Sequence, residues 1–286
     1  MTESDGNLIP DQRREKLMRL LHRDAVLSVA QLTELLGVSH MTVRRDIATL
    51  EREGRAYSVP GGVRLASSMR NEPAFPLKSA SERSEKAAIA RAAEGLLHDD
   101  MVVYLDAGTT TGALIPAIRE CARMTVVTND FVIADELMSS PQIEVIHTGG
   151  RIEQSNRSSV GRLAAETLRK INTDLALISA SSWDLGRGVT TPSESKVDVK
   201  LAALESTSSA VLMVTSSKYG TFGMYDVVPL RRFDAIITDA GLPAPAASGI
   251  RDLGVALHLA ETTSSESAGD APDLISTVAG PVRTAG

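Results

Sequence analysis

Apolar residues at Leu17, Leu20 and Leu21 recur at the three- and four-residue spacing of one helical face, predicting a helix from Asp11 onward. A short "LS" link leads to a second amphipathic helix, Val29 to Leu36. "GVS" then breaks the pattern: Gly37 suits a turn conformation, and Ser39 is placed to cap a third helix within Val38 to Gly54. In that helix Val43, Ile47 and Leu50 make one stripe at i, i+4 and i+7. "RAYSVPGGVRLA" reads as strand, Pro-Gly-Gly turn and strand. Three helices and a hairpin across residues 11–66 is the order of a winged helix-turn-helix.

Residues 67–78 are polar and hold two prolines, which predicts a linker. A helix follows from Ser84 to Leu97, and then strands and helices alternate. "MVVYLDAG", "MTVVTN", "IEVIHTGG", "TDLALISAS", "SAVLMVTSSK" and "FDAIITD" read as strands, and "GVALHLA" as a last short one. "TTTGALIPAIREC", "DFVIADELMS", "VGRLAAETLRKI" and "SKVDVKLAALEST" read as helices. Near-continuous apolar strands separated by helices predict an open, mostly parallel α/β sheet over residues 79–262. Met1 to Pro10 is polar, predicting a frayed terminus, and residues 263–286 are rich in Ser, Ala, Gly and Pro, predicting a disordered tail.

Charge sharpens the division. The whole chain carries −6, which argues against indiscriminate coating of nucleic acid. Residues 11–66 hold ten Lys or Arg against seven acids, a formal +3, leaving −9 elsewhere. A basic head on an acidic body fits local anion binding. Cys121 is alone, which excludes a disulfide within the chain and a cysteine-ligated structural zinc, and the histidines show no metal-ligand spacing. No cofactor is implied. No signal peptide opens the chain and no apolar run reaches the roughly 18 residues of a membrane span, so a soluble, cytoplasmic protein is expected.

If the Val43, Ile47, Leu50 stripe faces the other two helices, His40, Thr42, Arg44 and Arg45 turn outward near the helix start. Arginine there opposes the macrodipole, which favours acids at that end. In helix-turn-helix proteins this end enters the major groove, where arginine bonds a guanine edge or a phosphate. Ser39 and Thr42 can hold phosphates as well, and Arg64 in the hairpin would flank the backbone. The alternative is a solvated face, with both arginines paired to Asp46, Glu51 or Glu53.

In the body, "YLDAGTTTGAL" ends a strand in a turn whose Gly108 admits close backbone approach, with Thr109, Thr110 and Thr111 beginning a helix. Backbone N–H groups beside three hydroxyls suit a phosphate. Asn129 in "VVTND", His147 in "HTGG" and Lys218 in "TSSKYG" also follow strands, at the sheet end where open α/β sheets bind ligands.

These segments resemble the DeoR family of transcription regulators over roughly residues 11 to 260. Ser39, Thr42, Val43, Arg44, Arg45, Asp46, Leu50, Glu51 and Gly54 match its recognition segment, and Gly61 and Gly62 its wing, with Pro60 where histidine is common. "EPAF", "LDAGTTT", "VVTN", "GVTTP" and "SSKYG" match its sensor domain, which is similar in fold to ribose-5-phosphate isomerase and glucosamine-6-phosphate deaminase. The resemblance implies operator DNA and a phosphorylated sugar as partners, homo-oligomers, and repression of carbohydrate catabolism. By carry-over, Asp106, Gly108, Thr109, Thr110 and Thr111 form the effector loop, with Asn129 and Lys218 nearby. Thr215 stands where the family usually has Asp, and Ser195 and Lys196 where relatives usually carry Glu. The rival is an isomerase-like enzyme with a DNA-binding head. Against it, "LISASSWD" places Ser179, Ser181 and Ser182 where the isomerases carry "DGADE", and such a reaction needs a positioned carboxylate base. A protein–protein adaptor whose head no longer binds DNA is the third reading.

Overall fold

The computed structural model describes residues 8–262; the predicted frayed terminus, up to residue 7, and the predicted disordered tail lie outside them. The head comprises α1 (Pro10–Asp24), β1 (Val26–Ser28), α2 (Val29–Leu36), α3 (His40–Arg52), β2 (Ala56–Val59) and β3 (Gly62–Leu65). β1, read from sequence as a bare link, pairs antiparallel with β3 and makes the wing three-stranded. α2 opens on a capping box: Ser28 Oγ accepts from Gln31 N (3.1 Å) and Gln31 Oε1 from Ser28 N (2.8 Å). Gly37, at φ +67°, closes α2, and Ser39 Oγ caps α3 by accepting from Thr42 N (3.3 Å). Val43, Ile47 and Leu50 pack with Leu17, Leu21, Leu32 and Val63 in one core, as their spacing predicts.

The remaining elements are β4 (Ser67–Ser68), α4 (Phe75–Ala80), α5 (Arg83–Glu94), β5 (Val102–Leu105), α6 (Thr109–Gly112), α7 (Ile115–Arg119), β6 (Met124–Thr128) and α8 (Phe131–Leu137). Then come β7 (Ile143–His147), β8 (Arg151–Glu153), β9 (Ser158–Val160), α9 (Arg162–Leu168), β10 (Thr173–Ser179), β11 (Ser182–Asp184) and β12 (Gly188–Thr191). The chain continues through α10 (Ser195–Glu205), β13 (Thr207–Met213), β14 (Thr221–Phe222), β15 (Tyr225–Val228), β16 (Ala235–Asp239), α11 (Ala244–Asp252) and β17 (Ala256–Ala260).

Seven strands form one parallel sheet in the order β17-β16-β13-β10-β5-β6-β7. From β5 the chain builds outward to β7, then returns to lay β10 against the free side of β5 and builds outward to β17. The topological switch point therefore lies between β5 and β10, and a crevice forms beyond their C-terminal ends. The single helix expected after β5 is split into α6 and α7, because Pro116 has no N–H to continue the ladder. The small antiparallel sheet β11-β12-β15 and the β8-β9 pair were not predicted; their strands of three or four residues are too short to show a period. The expected linker is also structured: β4 pairs with β14, Met69 N donates to Phe222 O (2.7 Å), and Phe75 N to Ser155 O (2.8 Å).

Head and body are joined by polar and aromatic contacts. Tyr57, fully buried, meets Tyr219 edge-on at 5.4 Å, and Tyr219 meets Trp183 at 5.0 Å. Arg187 Nη1 donates to Gly54 O (2.8 Å) and to Tyr57 Oη (3.3 Å). Gly220, at φ +74°, lies so close that an added Cβ would meet the Tyr57 ring at 2.4 Å. Gly220→Ala combines backbone strain with that clash, so it is expected to destabilise by more than about 1 kcal/mol. It is also expected to speed tryptic cleavage at Arg70, read by timed digestion of the full chain. No helix among the described residues is long and apolar enough to cross a membrane.

Candidate functional site

On α3 the apolar stripe faces inward and leaves His40, Arg44 and Arg45 exposed. Asp46 is buried and bound in a fork by Arg13 of α1: Nε donates to Oδ2, and Nη2 to Oδ1 at 3.0 Å. Glu51 is buried too, accepting from Ser58 Oγ (2.9 Å), and burial raises its carboxyl pKa. The two nearest acids are thus turned inward, and the Arg44 and Arg45 guanidinium groups have no ion pair or hydrogen bond among the described residues. The pairing with Asp46, Glu51 or Glu53 that the alternative includes is not seen among the described residues, while the exposed face it includes is. Ser39 Oγ and Thr42 Oγ1, 3.0 Å apart, sit at the same helix end. Arg64 is the exception to the expected set: its Nη2 donates to Tyr219 O, so it turns toward the body rather than toward a DNA backbone.

The second constellation sits at the switch point. Asp106, directly after β5, is buried; its Oδ2 accepts from Ser179 N (3.0 Å), Ser179 Oγ (3.0 Å) and Lys200 Nζ. Lys200 Nζ also donates to Ser179 O (2.6 Å), closing an ionic clamp across the β5–β10 gap. Asn129 Oδ1 accepts from Ala107 N and Tyr104 Oη, both at 2.9 Å, while Nδ2 donates to Ser159 O (2.9 Å). Thr111 Oγ1 shares its one proton between Asp106 O (2.6 Å) and Gly108 O (2.8 Å), so it shapes the turn from within, and Thr110 is buried beside it. Asp130 caps α8 and accepts from Gly108 N (3.1 Å); its burial raises its pKa.

The loop therefore divides the predicted residues between two spaces. Asp106 and Asn129 line a polar cavity with Glu72, Asn156, Ser158, Ser179, Ser181, Lys196 and Lys200; its volume is about 20 Å³. Gly108 and Thr109 line a neighbouring open cavity of about 260 Å³ with Phe75, Ser79, Arg83, Lys86 and Asp130. Lys218 Nζ donates to Ala180 O (2.9 Å), between the cavity-lining Ser179 and Ser181. His147 stacks on Phe131 at 4.4 Å and accepts at Nδ1 from Gly149 N, which is a structural role. Sequence reading did not select Glu72, Lys78 or Lys200. A signal existed for one of them: Lys196 and Lys200 are four apart on a helix whose same face carries Val199 and Ala203, an uneconomical place for cations without buried partners.

Two family models match the chain: the DeoR-like helix-turn-helix domain over residues 13–69 and the DeoR C terminal sensor domain over residues 81–240. An HTH-type transcriptional regulator of Haemophilus influenzae is 44% identical across 89% of this chain and 99% of its own length. The chain belongs to the DeoR family. Among DeoR-type relatives, a putative aga operon transcriptional repressor of Escherichia coli O157:H7 is 30% identical over 87% of this chain and 93% of its own. The glycerol-3-phosphate regulon repressor of Escherichia coli K12 is 26% identical over 87% and 98%. Ribose 5-phosphate isomerase A from Methanocaldococcus jannaschii is similar at 17% identity, with a TM-score of 0.34 over 47% of this chain and 53% of that one. So partial a likeness adds nothing to the sheet order described above. As a DeoR-family member the protein is a transcription regulator whose DNA-binding unit is the head.

Proposed function

We propose that this regulator represses a carbohydrate-catabolism operon and that a phosphorylated sugar bound at the switch point modulates its hold on operator DNA. The observation that carries this reading is the position of Lys218 and Tyr219. Lys218 donates to Ala180 O, between two serines that line the cavity, and the next residue gives its carbonyl to Arg64 of the wing and packs its ring on Tyr57. A change at the cavity is thus one residue from the head. The repressor descriptions of two relatives support the sign of regulation. The effector must bind the two arrangements of the head with different affinity to act at all. Association of the sensor domains as homo-oligomers would hold two heads at a spacing matched to DNA half-sites.

Ser39, His40, Thr42, Arg44 and Arg45 form the proposed DNA surface. Arg44→Ala or Arg45→Ala is expected to weaken operator binding by about 1–3 kcal/mol if that arginine reads a base. A phosphate-holding arginine would instead weaken all sequences alike and reduce the salt slope by about one. Titrations at two salt concentrations separate the cases.

The effector set is Asp106, Gly108, Thr109, Thr110, Thr111, Asn129 and Lys218, with Thr111 and Asn129 shaping the loop. We read the site as a sensor and not a catalyst. The Asp106 carboxylate is held at Oδ2 by Ser179 and Lys200, and Asp184 is held by Gly186 N (2.7 Å), Arg187 N (2.6 Å) and Arg187 Nη1 (3.1 Å), so both carboxylates are committed to structural partners. Thermal unfolding of the full chain against sugar phosphates and their unphosphorylated parents tests the site. A ligand at about a hundred times its Kd adds roughly 2.7 kcal/mol. A shift with one phosphorylated sugar and none with its parent supports the reading; turnover of that sugar to an isomer would replace it with the enzymatic one.

Lys218 gives the binding a pH signature. Burial lowers its ammonium pKa from 10.5 to about 8, with Lys78 and Lys86 adding to the effect and Glu72 and Glu82 opposing it. Between pH 8 and 10.5 the unfolded chain holds a proton that the fold has lost, so Lys218 makes stability rise with pH there. Affinity for phosphate runs the other way, falling as pH rises through about 8. Calorimetric titration at pH 7 and pH 9 is expected to show the loss in the wild type and none in Lys218→Met.

A further inference from the structure

The polar cavity is closed by the chain itself. Glu72, from the stretch that joins head to body, places its carboxylate between two ammonium groups: Oε1 lies 2.6 Å from Lys78 Nζ, and Oε2 accepts from Lys196 Nζ. Lys78 and Lys196 are nearly buried, at 11% and 9% side-chain exposure. Burial would raise the Glu72 carboxyl, but the charges of Lys196 and Lys78 outweigh it and hold the group well below the usual carboxylate range. A second, independent feature points to a ligand. Ser158 Oγ is fully buried, lines the same cavity and has no hydrogen-bond partner among the described residues, so a built polar wall stands with one donor unused. With about 20 Å³ open, the cavity has room for about one water and none for a sugar.

We propose that Lys78 and Lys196 form an oxyanion subsite of the effector pocket, occupied in the effector-free protein by the linker's own Glu72 carboxylate. The inference rests on the effector reading given above. The ligand that fits is a small polyol bearing a carboxylate or a phosphate, since either offers oxygens to two ammonium groups. Its anion takes the place of the Glu72 carboxylate and its hydroxyls meet Ser158, Asn156 and Asp106. Glu72 leaves a shielded two-lysine site only because the incoming anion replaces its charge; a neutral sugar cannot do this, as it would strip Lys78 of its carboxylate and leave Lys196 with Glu153 Oε2 alone, 3.2 Å away. Expulsion of Glu72 frees residues 69–74, which run directly from the wing-side strand β4 to α4. Binding at the subsite thereby slackens the tie between body and head.

The test compares full-length wild type with Glu72→Gln, which keeps shape and removes the competing charge. Calorimetry with D-ribose 5-phosphate, D-ribonate and neutral D-ribose reads the affinities, and trypsin cleavage at Arg70 reads the linker. Where the open form is less than about a tenth of the wild-type population, removing the competitor raises apparent affinity about tenfold or more. The expected result is that gain for at least one of the two anions, none for D-ribose, and cleavage at Arg70 that is fast in Glu72→Gln and speeded by the same anion in wild type. Which anion gains identifies its chemistry. Lys196→Gln guards against a purely structural role: it too frees the linker but is expected to lose anion binding. Equal anion affinity in wild type and Glu72→Gln overturns the subsite and leaves the effector reading standing. Absence of anion binding by both proteins overturns the two together.

Discussion

Asp106→Ala is expected to destabilise the sensor domain by about 3–5 kcal/mol, the cost of stranding a buried charge. Lys200 is only 4% exposed, and apart from the Ser179 carbonyl its partner is the Asp106 carboxylate. The same substitution strips the acceptor from Ser179 N and leaves Ser179 Oγ with the Ala107 carbonyl alone (2.8 Å), so the β5–β10 junction loosens as well. Asp106→Asn keeps an acceptor and is expected to cost less. Asp106→Ala combined with Lys200→Met is expected to recover much of the loss, because removing both charges removes the desolvation cost as well. Urea midpoints at unchanged m-value measure this. A loss below about 1 kcal/mol for Asp106→Ala would show that the clamp does not hold the switch point together.

The head carries the second large effect. Asp46→Ala leaves Arg13, 8% exposed, without its forked partner between α1 and α3, and a loss of about 3–5 kcal/mol is expected. Because the pair fixes α3 against α1, operator binding is expected to vanish with the fold of the head. Arg44→Ala acts differently: its side chain is exposed and unpaired among the described residues, so operator binding is expected to fall while the unfolding midpoint stays put. Asp46→Ala with Arg13→Met restores the midpoint if the charge, and not the shape of the pair, is what matters. Circular dichroism melts of the three variants distinguish these cases.

Asp46 also shows where sequence reading stops. The stripe of α3, the cap at Ser39 and the turn at Gly37 act over three or four residues, so they are legible in the chain, and so are the parallel strands. Partners distant in sequence are not. Nothing local marks Asp46 for Arg13, Asp106 for Lys200, or Glu72 for Lys196, which are 33, 94 and 124 residues apart. Arg64 was assigned to DNA because its strand belongs to the wing, and only the docked body reveals Tyr219 O as its acceptor. The contacts made by the predicted linker were hidden for a related reason. Its prolines and charges match a solvated segment, yet its glutamate is drawn into lysines supplied by α4 and α10. The Gly108–Thr111 loop was located from its own residues, whereas the cations beside it come from helices elsewhere in the chain.

The central claim is that occupancy of the switch-point site changes the head's hold on DNA. Fluorescence anisotropy of full-length protein on a labelled fragment from upstream of its own gene, with and without the sugar phosphate that shifts thermal unfolding, tests it most directly. The account predicts a change of about fivefold or more in the Kd for DNA, no change with the unphosphorylated parent, and loss of the response in Lys218→Met. A sugar phosphate that stabilises the protein and leaves the Kd for DNA unaltered would contradict it.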